Sequence, residues 1–182
     1  MRIIGLAGWS GSGKTTLLTR VIPRLVARGL KVSTLKHAHH AFDIDTPGKD
    51  SYAHREAGAT EVLIASANRY ALMHELRGAP EPGVLELLAR LSPADLVIVE
   101  GWKVAHYAKI EVYRQEVGKS PLHPDDPYIL GIASDVPFPD AGRPVVVLSD
   151  LDAVVALMLE KSEPMAAVMT RLASPSPALA GT

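Results

Sequence analysis

The chain has 182 residues, 47% of them hydrophobic and 21% charged, which is the make-up of one ordinary globular domain with enough apolar side chain for a good core. Lys and Arg number 19 against 20 Asp and Glu, a formal net charge of -1, so no basic excess points to a nucleic acid or an anionic membrane as partner. Cysteine is absent, which excludes disulfides, thiolate zinc sites and cysteine nucleophiles and fits a reducing compartment.

Arg2 to Ala7, "RIIGLA", is an apolar run that stops at glycine and predicts a buried strand. No charged segment, apolar stretch and cleavage site precede it in series, and no run reaches the ~18–20 residues of a membrane-spanning helix. The cytoplasm is the expected location. Thr15 to Arg28 sets Leu17, Leu18, Val21, Ile22, Leu25 and Val26 at helical spacing, with Gly29 as C-terminal stop and Pro23 as an interruption. Lys31 to Leu35 alternates as a second strand. Lys36 to Lys49 is polar and broken by Pro47-Gly48, so it reads as a loop.

Asp50 to Ala57 predicts a short helix closed by Gly58. Glu61 to Ser66 and Arg69 to Leu76 predict two strands joined by a tight turn at Ala67-Asn68. A loop over Arg77 to Gly83 leads to a helix from Val84 to Leu91. "DLVIVEG", Asp95 to Gly101, is the strongest buried-strand signal in the chain, and Lys109 to Tyr113 is a further strand. Gly118 to Pro127 holds three prolines and reads as a loop. Ile129 to Ala133 and Val145 to Leu148 complete the strands, and Leu151 to Glu160 is the last helix. Residues 1–161 are expected as a single nucleotide-binding domain, and 162–182 as a flexible tail ending in "SPSPALAGT". Short apolar strands alternating with helices predict an α/β fold, a mainly parallel sheet with helices on both faces. The pair at 61–76 and the strand at 109–113 lack helical crossovers and are expected as an antiparallel extension of the sheet edge.

Gly8 to Thr15, "GWSGSGKT", matches G-x-x-x-x-G-K-[ST], with a strand before it and a helix after it. Small residues, Gly11, Ser12 and Gly13 among them, let backbone N–H groups close on a polyphosphate. The helix adds its positive N-terminal end. Lys14 is expected at the β- and γ-phosphates and the Thr15 hydroxyl on Mg²⁺. The loop therefore predicts a nucleoside triphosphate ligand. Glu100 ends the apolar "LVIVE" strand, where such proteins keep a carboxylate near the metal.

"KHAHHAFDIDTPGKDS", Lys36 to Ser51, admits more than one reading. His37, His39, His40, Asp43 and Asp45 are a candidate transition-metal set, although adjacent His39 and His40 diverge on extended backbone. The preferred reading is a nucleotide-responsive loop, with Asp43 or Asp45 near Mg²⁺ and with Lys49 and Asp50 ordering it around phosphate or a second substrate. "DTPG" within it matches Asp-x-x-Gly but follows no buried strand, so it is not taken as a γ-phosphate sensor. Asp135, at the end of "GIASD", stands where guanine-binding proteins keep an aspartate for N1–H and N2–H₂ of the base; the Asn/Thr-Lys that normally precedes it is missing.

Four stretches occur together and in order: "GWSGSGKTTLLTRVIPRL", "TLKHAHHAFDIDTPGKDS", "VEGWK" and "KIEVYR". In this the chain resembles the MobB-type adaptors of molybdopterin-guanine dinucleotide biosynthesis, over about Arg2 to Glu160. The resemblance implies a P-loop GTP-binding fold and a homodimer built through antiparallel strands. It also implies weak GTP hydrolysis at most. The partners it implies are the guanylyltransferase that joins GMP to molybdopterin and the molybdenum-insertion protein. Carried onto this sequence, it implies GTP and Mg²⁺ as ligands. Gly11, Gly13, Lys14, Thr15 and Thr16 carry binding roles, with Asp45, Lys49 and Glu100 as second-tier site residues. The full expected set is then Gly11, Ser12, Gly13, Lys14, Thr15, Thr16, Lys49 and Asp135 for nucleotide and Thr15, Asp45 and Glu100 for metal, with Asp45 and Glu100 as catalytic candidates.

Two other classes stay open on the residues. A P-loop small-molecule kinase or ATP-dependent ligase, similar to dethiobiotin synthetase, needs extra cations on the γ-phosphate; Lys36, Lys49, Lys103 and Lys109 are the candidates. A metallochaperone GTPase rests on the histidine cluster alone. Trp102, Tyr107 and the 118–127 segment are candidate partner contacts, since aromatics anchor interfaces.

Overall fold

The computed structural model describes residues 1–38 and 42–174. They pack as two units, Met1–His37 together with the chain from Val84 on, and Ala38–Gly83. In chain order the elements are β1 (Arg2–Ala7), α1 (Lys14–Ala27), β2 (Val32–Lys36), α2 (Asp50–Glu56), β3 (Glu61–Ala65), β4 (Tyr70–His74), α3 (Val84–Ala89), β5 (Leu96–Glu100), β6 (Lys109–Tyr113), β7 (Ile129–Ser134), β8 (Val145–Val147), α4 (Leu151–Lys161), β9 (Glu163–Pro164) and α5 (Met165–Ala173).

In the larger unit the strands lie in the order β2-β5-β1-β6-β7-β8, all pairs parallel. Side chains of a strand alternate between the two faces, and here both faces are apolar. Ile4 and Leu6 of β1 with Leu96 and Ile98 of β5 join α1 and α4 in one core, where Leu18, Val21, Leu25, Val154 and Met158 are buried. Ile3, Val97 and Val99 join the other core with Val84 and Leu88 of α3 and Met165 and Val168 of α5. Burial on both sides is why "RIIGLA" and "LVIVE" read as unbroken apolar runs. Pro23 sits on the exposed side of α1, so the helix runs through it.

Strand β6 corrects an expectation. It is not at an antiparallel edge but lies between β1 and β7, parallel to both. Ile110 and Val112 face the α1–α4 core, so Lys109 and Glu111 point to the other face by alternation. No helix is needed to cover them, because each holds a loop in place. Lys109 Nζ donates to the carbonyls of Lys103 and Ala105, at 2.5 and 3.0 Å, and pairs with Asp126 at 2.6 Å. Glu111 accepts the N–H groups of Leu122 and His123, at 2.6 and 2.9 Å, and pairs with His123 Nδ1 at 2.9 Å.

The expected tail from residue 162 also differs. Ser162 is buried, and β9 adds antiparallel to the start of β1 (Arg2 opposite Pro164, Ile3 opposite Glu163), where β6 does not reach. Val168 of α5 is fully buried. Glu163 accepts the N–H of Ala108 at 2.6 Å and pairs with Arg171 at 2.6 Å. Apolar Met165, Val168 and Met169 at helical spacing provide the face that docks α5. Residues 175–182 lie outside the described residues.

The smaller unit carries α2 and the antiparallel hairpin β3–β4, closed by the predicted turn. Val62 and Met73 pair on its buried face, while Leu63, Tyr70 and Leu72 are 64%, 70% and 50% exposed. No helix among the described residues is long and apolar enough to cross a membrane.

Candidate phosphate-binding site

The loop between β1 and α1 stands at the carboxyl end of the parallel sheet, where ligands of open α/β folds collect. Gly8 is held at φ 146°. A Cβ there would lie 2.6 Å from the Val112 carbonyl and 2.7 Å from Ser12 Oγ, so only glycine lets the loop close this tightly. Gly13, at φ 84°, turns the chain into α1 without any side-chain cap. That leaves the first N–H groups of the helix for another acceptor.

Lys14 Nζ folds back and donates to the carbonyls of Gly8 and Trp9, each at 2.9 Å. Burial lowers its pKa, Lys103 and Lys36 lower it further, and the Glu100 carboxylate acts against them. Thr15 Oγ1 donates to Glu100 Oε1 at 3.3 Å, and Lys36 Nζ approaches Thr15 Oγ1 at 3.4 Å. Glu100 is buried at the end of β5. Gly101 follows at φ 115°, and a Cβ on it would stand 2.6 Å from His37 Cβ. This glycine therefore allows the ends of β2 and β5 to lie against each other.

Ser12 Oγ is buried and has no hydrogen-bond partner among the described residues. An unpaired buried hydroxyl, uncapped helix N–H groups and three ammonium groups against one carboxylate suit a polyphosphate anion. Thr15 and Glu100 offer the hard oxygen donors Mg²⁺ takes.

The structure thus brings Gly11, Ser12, Gly13, Lys14, Thr15, Thr16 and Glu100 to one end of the sheet. Asp135 stands past the end of β7, exposed, with its Oδ1 accepting the Gln115 N–H at 3.0 Å. Asp45 and Lys49 belong to the smaller unit. There Asp45 is tied to Ser51 Oγ and the Thr46 N–H, both at 2.9 Å, and faces Arg55 at 3.6 Å. Arg55 also bonds Asp43 at 2.7 Å and Glu75 at 3.2 Å. The Arg55 bond pulls the Asp43 pKa down and raises that of Arg55. Lys49 precedes α2. His39 and His40 lie outside the described residues. Among the described residues no group of three His, Asp or Glu is placed to hold a metal.

Several neighbours of the loop were not legible from sequence. Trp9 Nε1 donates to the Ser120 carbonyl at 2.8 Å, and Lys103 Nζ sits 4.6 Å from the Trp9 ring centre. Arg114 lies over the loop, its Nε 3.1 Å from where a Gly13 Cβ would be; it closes the "KIEVYR" stretch, the one signal that pointed to it. Tyr107, expected at a partner surface, is 1% exposed and packs on Gly5. Lys109, a candidate γ-phosphate cation, is consumed by Asp126 and two carbonyls.

Fold and loop together define a P-loop NTPase-type protein. Residues 3–135 match the family described as molybdopterin guanine dinucleotide synthesis protein B, MobB. The chain belongs to that family. It is 44% identical over 138 residues to the molybdopterin-guanine dinucleotide biosynthesis adapter protein of Escherichia coli (strain K12), covering 74% of this chain and 79% of that one. The adapter protein of Haemophilus influenzae is also 44% identical over 138 residues, with 74% and 75% covered. A crystal structure of molybdopterin-guanine biosynthesis protein B superposes with a TM-score of 0.66 at 28% identity, over 87% of this chain and 98% of that one.

Proposed function

We propose that this chain is the adapter protein of molybdopterin guanine dinucleotide biosynthesis, a cytoplasmic protein that binds GTP with Mg²⁺ at the Gly8–Thr15 loop. The observation that carries the binding half is the loop itself. Lys14 is held by two loop carbonyls beside an unpaired buried Ser12 hydroxyl, and the Thr15–Glu100 pair stands next to it. The pathway half rests on family membership and on the two adapter relatives.

In this reading backbone N–H groups of the loop and the start of α1 hold the phosphates, and Lys14 leaves the Gly8 and Trp9 carbonyls to join them. Thr15 and Glu100 supply metal oxygens. Mg²⁺, when bound, would be held by Thr15 and Glu100 and would neutralise phosphate charge. Asp135 reads N1–H and N2–H₂ of guanine, for which an aspartate is the matching acceptor. Hydrolysis is slow, and the protein works mainly by presenting GTP to the guanylyltransferase and by contacting the molybdenum-insertion protein. The exposed Leu63, Tyr70 and Leu72 face supports a homodimer joined through the hairpin.

The test is reconstitution of guanylyl transfer from GTP to molybdopterin. Adding this chain to the guanylyltransferase is expected to raise the rate of dinucleotide formation, and Lys14→Ala to remove the gain. No change of rate with the wild-type chain would contradict the adapter role.

A further inference from the structure

We infer that Lys36 reads the terminal phosphate of the bound nucleotide, so that it sets the preference for a nucleoside triphosphate over a diphosphate. The inference rests on the nucleotide reading above and adds a residue to which that reading gives no role.

Lys36 is the last residue of β2 and stands in register with Glu100 of β5. Its ammonium lies 3.4 Å from Thr15 Oγ1, and the same hydroxyl donates to Glu100 at 3.3 Å. The ammonium therefore sits beside the oxygens proposed for Mg²⁺, as a cation already on the spot. It acts on Lys14 as a like charge, in company with Lys103, and the Glu100 carboxylate is their counter-charge there. Three ammonium groups and one carboxylate leave a positive excess that an anion must balance.

The sheet order says which phosphate. Relative to β1, Asp135 at the end of β7 lies on one side, and β5 and then β2 lie on the other. A nucleotide with its base toward Asp135 and its phosphates on the β1 loop runs along the sheet end toward β5 and β2. The phosphate farthest from the base then meets Lys36. Lys14, bonded to the Gly8 and Trp9 carbonyls, belongs to the loop itself and reaches the β-phosphate that di- and triphosphate share as well as the γ-phosphate, so Lys36 is the cation whose contact is confined to the triphosphate. The flexible Lys36 stem lets its ammonium leave Thr15 for the γ-phosphate.

The test is calorimetric titration of GTP and of GDP, each with Mg²⁺, into wild type, Lys36→Ala and Lys36→Arg, with thermal unfolding to check folding. Wild type is expected to prefer GTP. Lys36→Ala should lose about 10-fold or more of its GTP affinity, the usual loss for a charge-assisted hydrogen bond. It should lose less than about 2-fold for GDP, and Lys36→Arg should recover part of the difference. Equal losses for the two nucleotides, or no loss in a folded variant, would overturn the inference and leave the nucleotide site standing. Failure of wild type to bind either nucleotide would overturn the nucleotide reading and this inference with it.

Discussion

Thr15 and Glu100 meet at 3.3 Å, hydroxyl to carboxylate, and so join the first turn of α1 to the end of β5. The contact unites the two elements most legible in the sequence, the glycine-rich loop and the buried acidic strand, and it puts a carboxylate beside Lys14.

Replacing that carboxylate should act in two ways. Glu100→Gln is expected to weaken GTP binding about 10-fold in Mg²⁺, as one charged oxygen donor is lost, and to change it little in EDTA. Glu100 is also what holds the Lys14 pKa up against burial and the neighbouring lysines. With it gone the Lys14 pKa falls further, so Lys14 loses its proton, and GTP its cation, at a lower pH. Titrations across the alkaline range should show the variant's affinity falling off before that of wild type. Coinciding curves would contradict the pairing.

The 118–128 loop is secured by charges under it. Lys109 is 2% exposed and has Asp126 as its carboxylate partner. Asp126→Ala leaves a buried ammonium with two carbonyls only and is expected to cost about 3–5 kcal/mol in urea unfolding. A change below about 1 kcal/mol would show that water replaces the carboxylate.

A third prediction concerns packing at the centre of the sheet. A Cβ on Gly5 would stand 2.5 Å from Tyr107 Cε2 and 2.7 Å from Lys109 Cγ. Gly5→Ala must displace both side chains and is expected to destabilise by about 1–3 kcal/mol. Tyr107→Phe keeps the clash and should not rescue it. Gly5→Ala with Tyr107→Leu opens the space and should recover part of the loss in melting temperature.

Glu163 gives a pH dependence of definite sign. Burial pushes its pKa up, but the Arg171 bond and the Ala108 N–H outweigh it and leave the pKa lowered. A carboxyl with a lower pKa folded than unfolded stabilises above its unfolded value, about 4.3. That stability is lost as the pH falls through the folded value. Wild type should therefore exceed Glu163→Gln at pH 7 and approach it on acidification below about pH 4. A difference independent of pH would refute this.

What the sequence displayed and what it hid follow from packing. β1 and β5 show themselves because both their faces are apolar, and the hairpin because its turn residues bracket two strands. β6 shows itself as a strand, but its central place is hidden because Lys109 and Glu111 interrupt the apolar pattern. Their partners, Asp126 and His123, are 17 and 12 positions away in the chain, and nothing local marks them as buried. β9 and α5 hide because Pro164 and a small-residue ending suggest a tail, whereas the docking face needs the fold to be seen. At the site, the loop was legible through its fixed spacing. Lys36 was one of four equivalent lysines until the β2–β5 register set it against Thr15.

The measurement that bears most directly on nucleotide binding at this loop is calorimetric titration of GTP and ATP, each with Mg²⁺, into wild type and Lys14→Ala. The result expected is a GTP preference in wild type and loss of binding in the variant. An ATP preference, or binding unchanged by Lys14→Ala, would contradict the assignment of the Gly8–Thr15 loop as a guanine-nucleotide site.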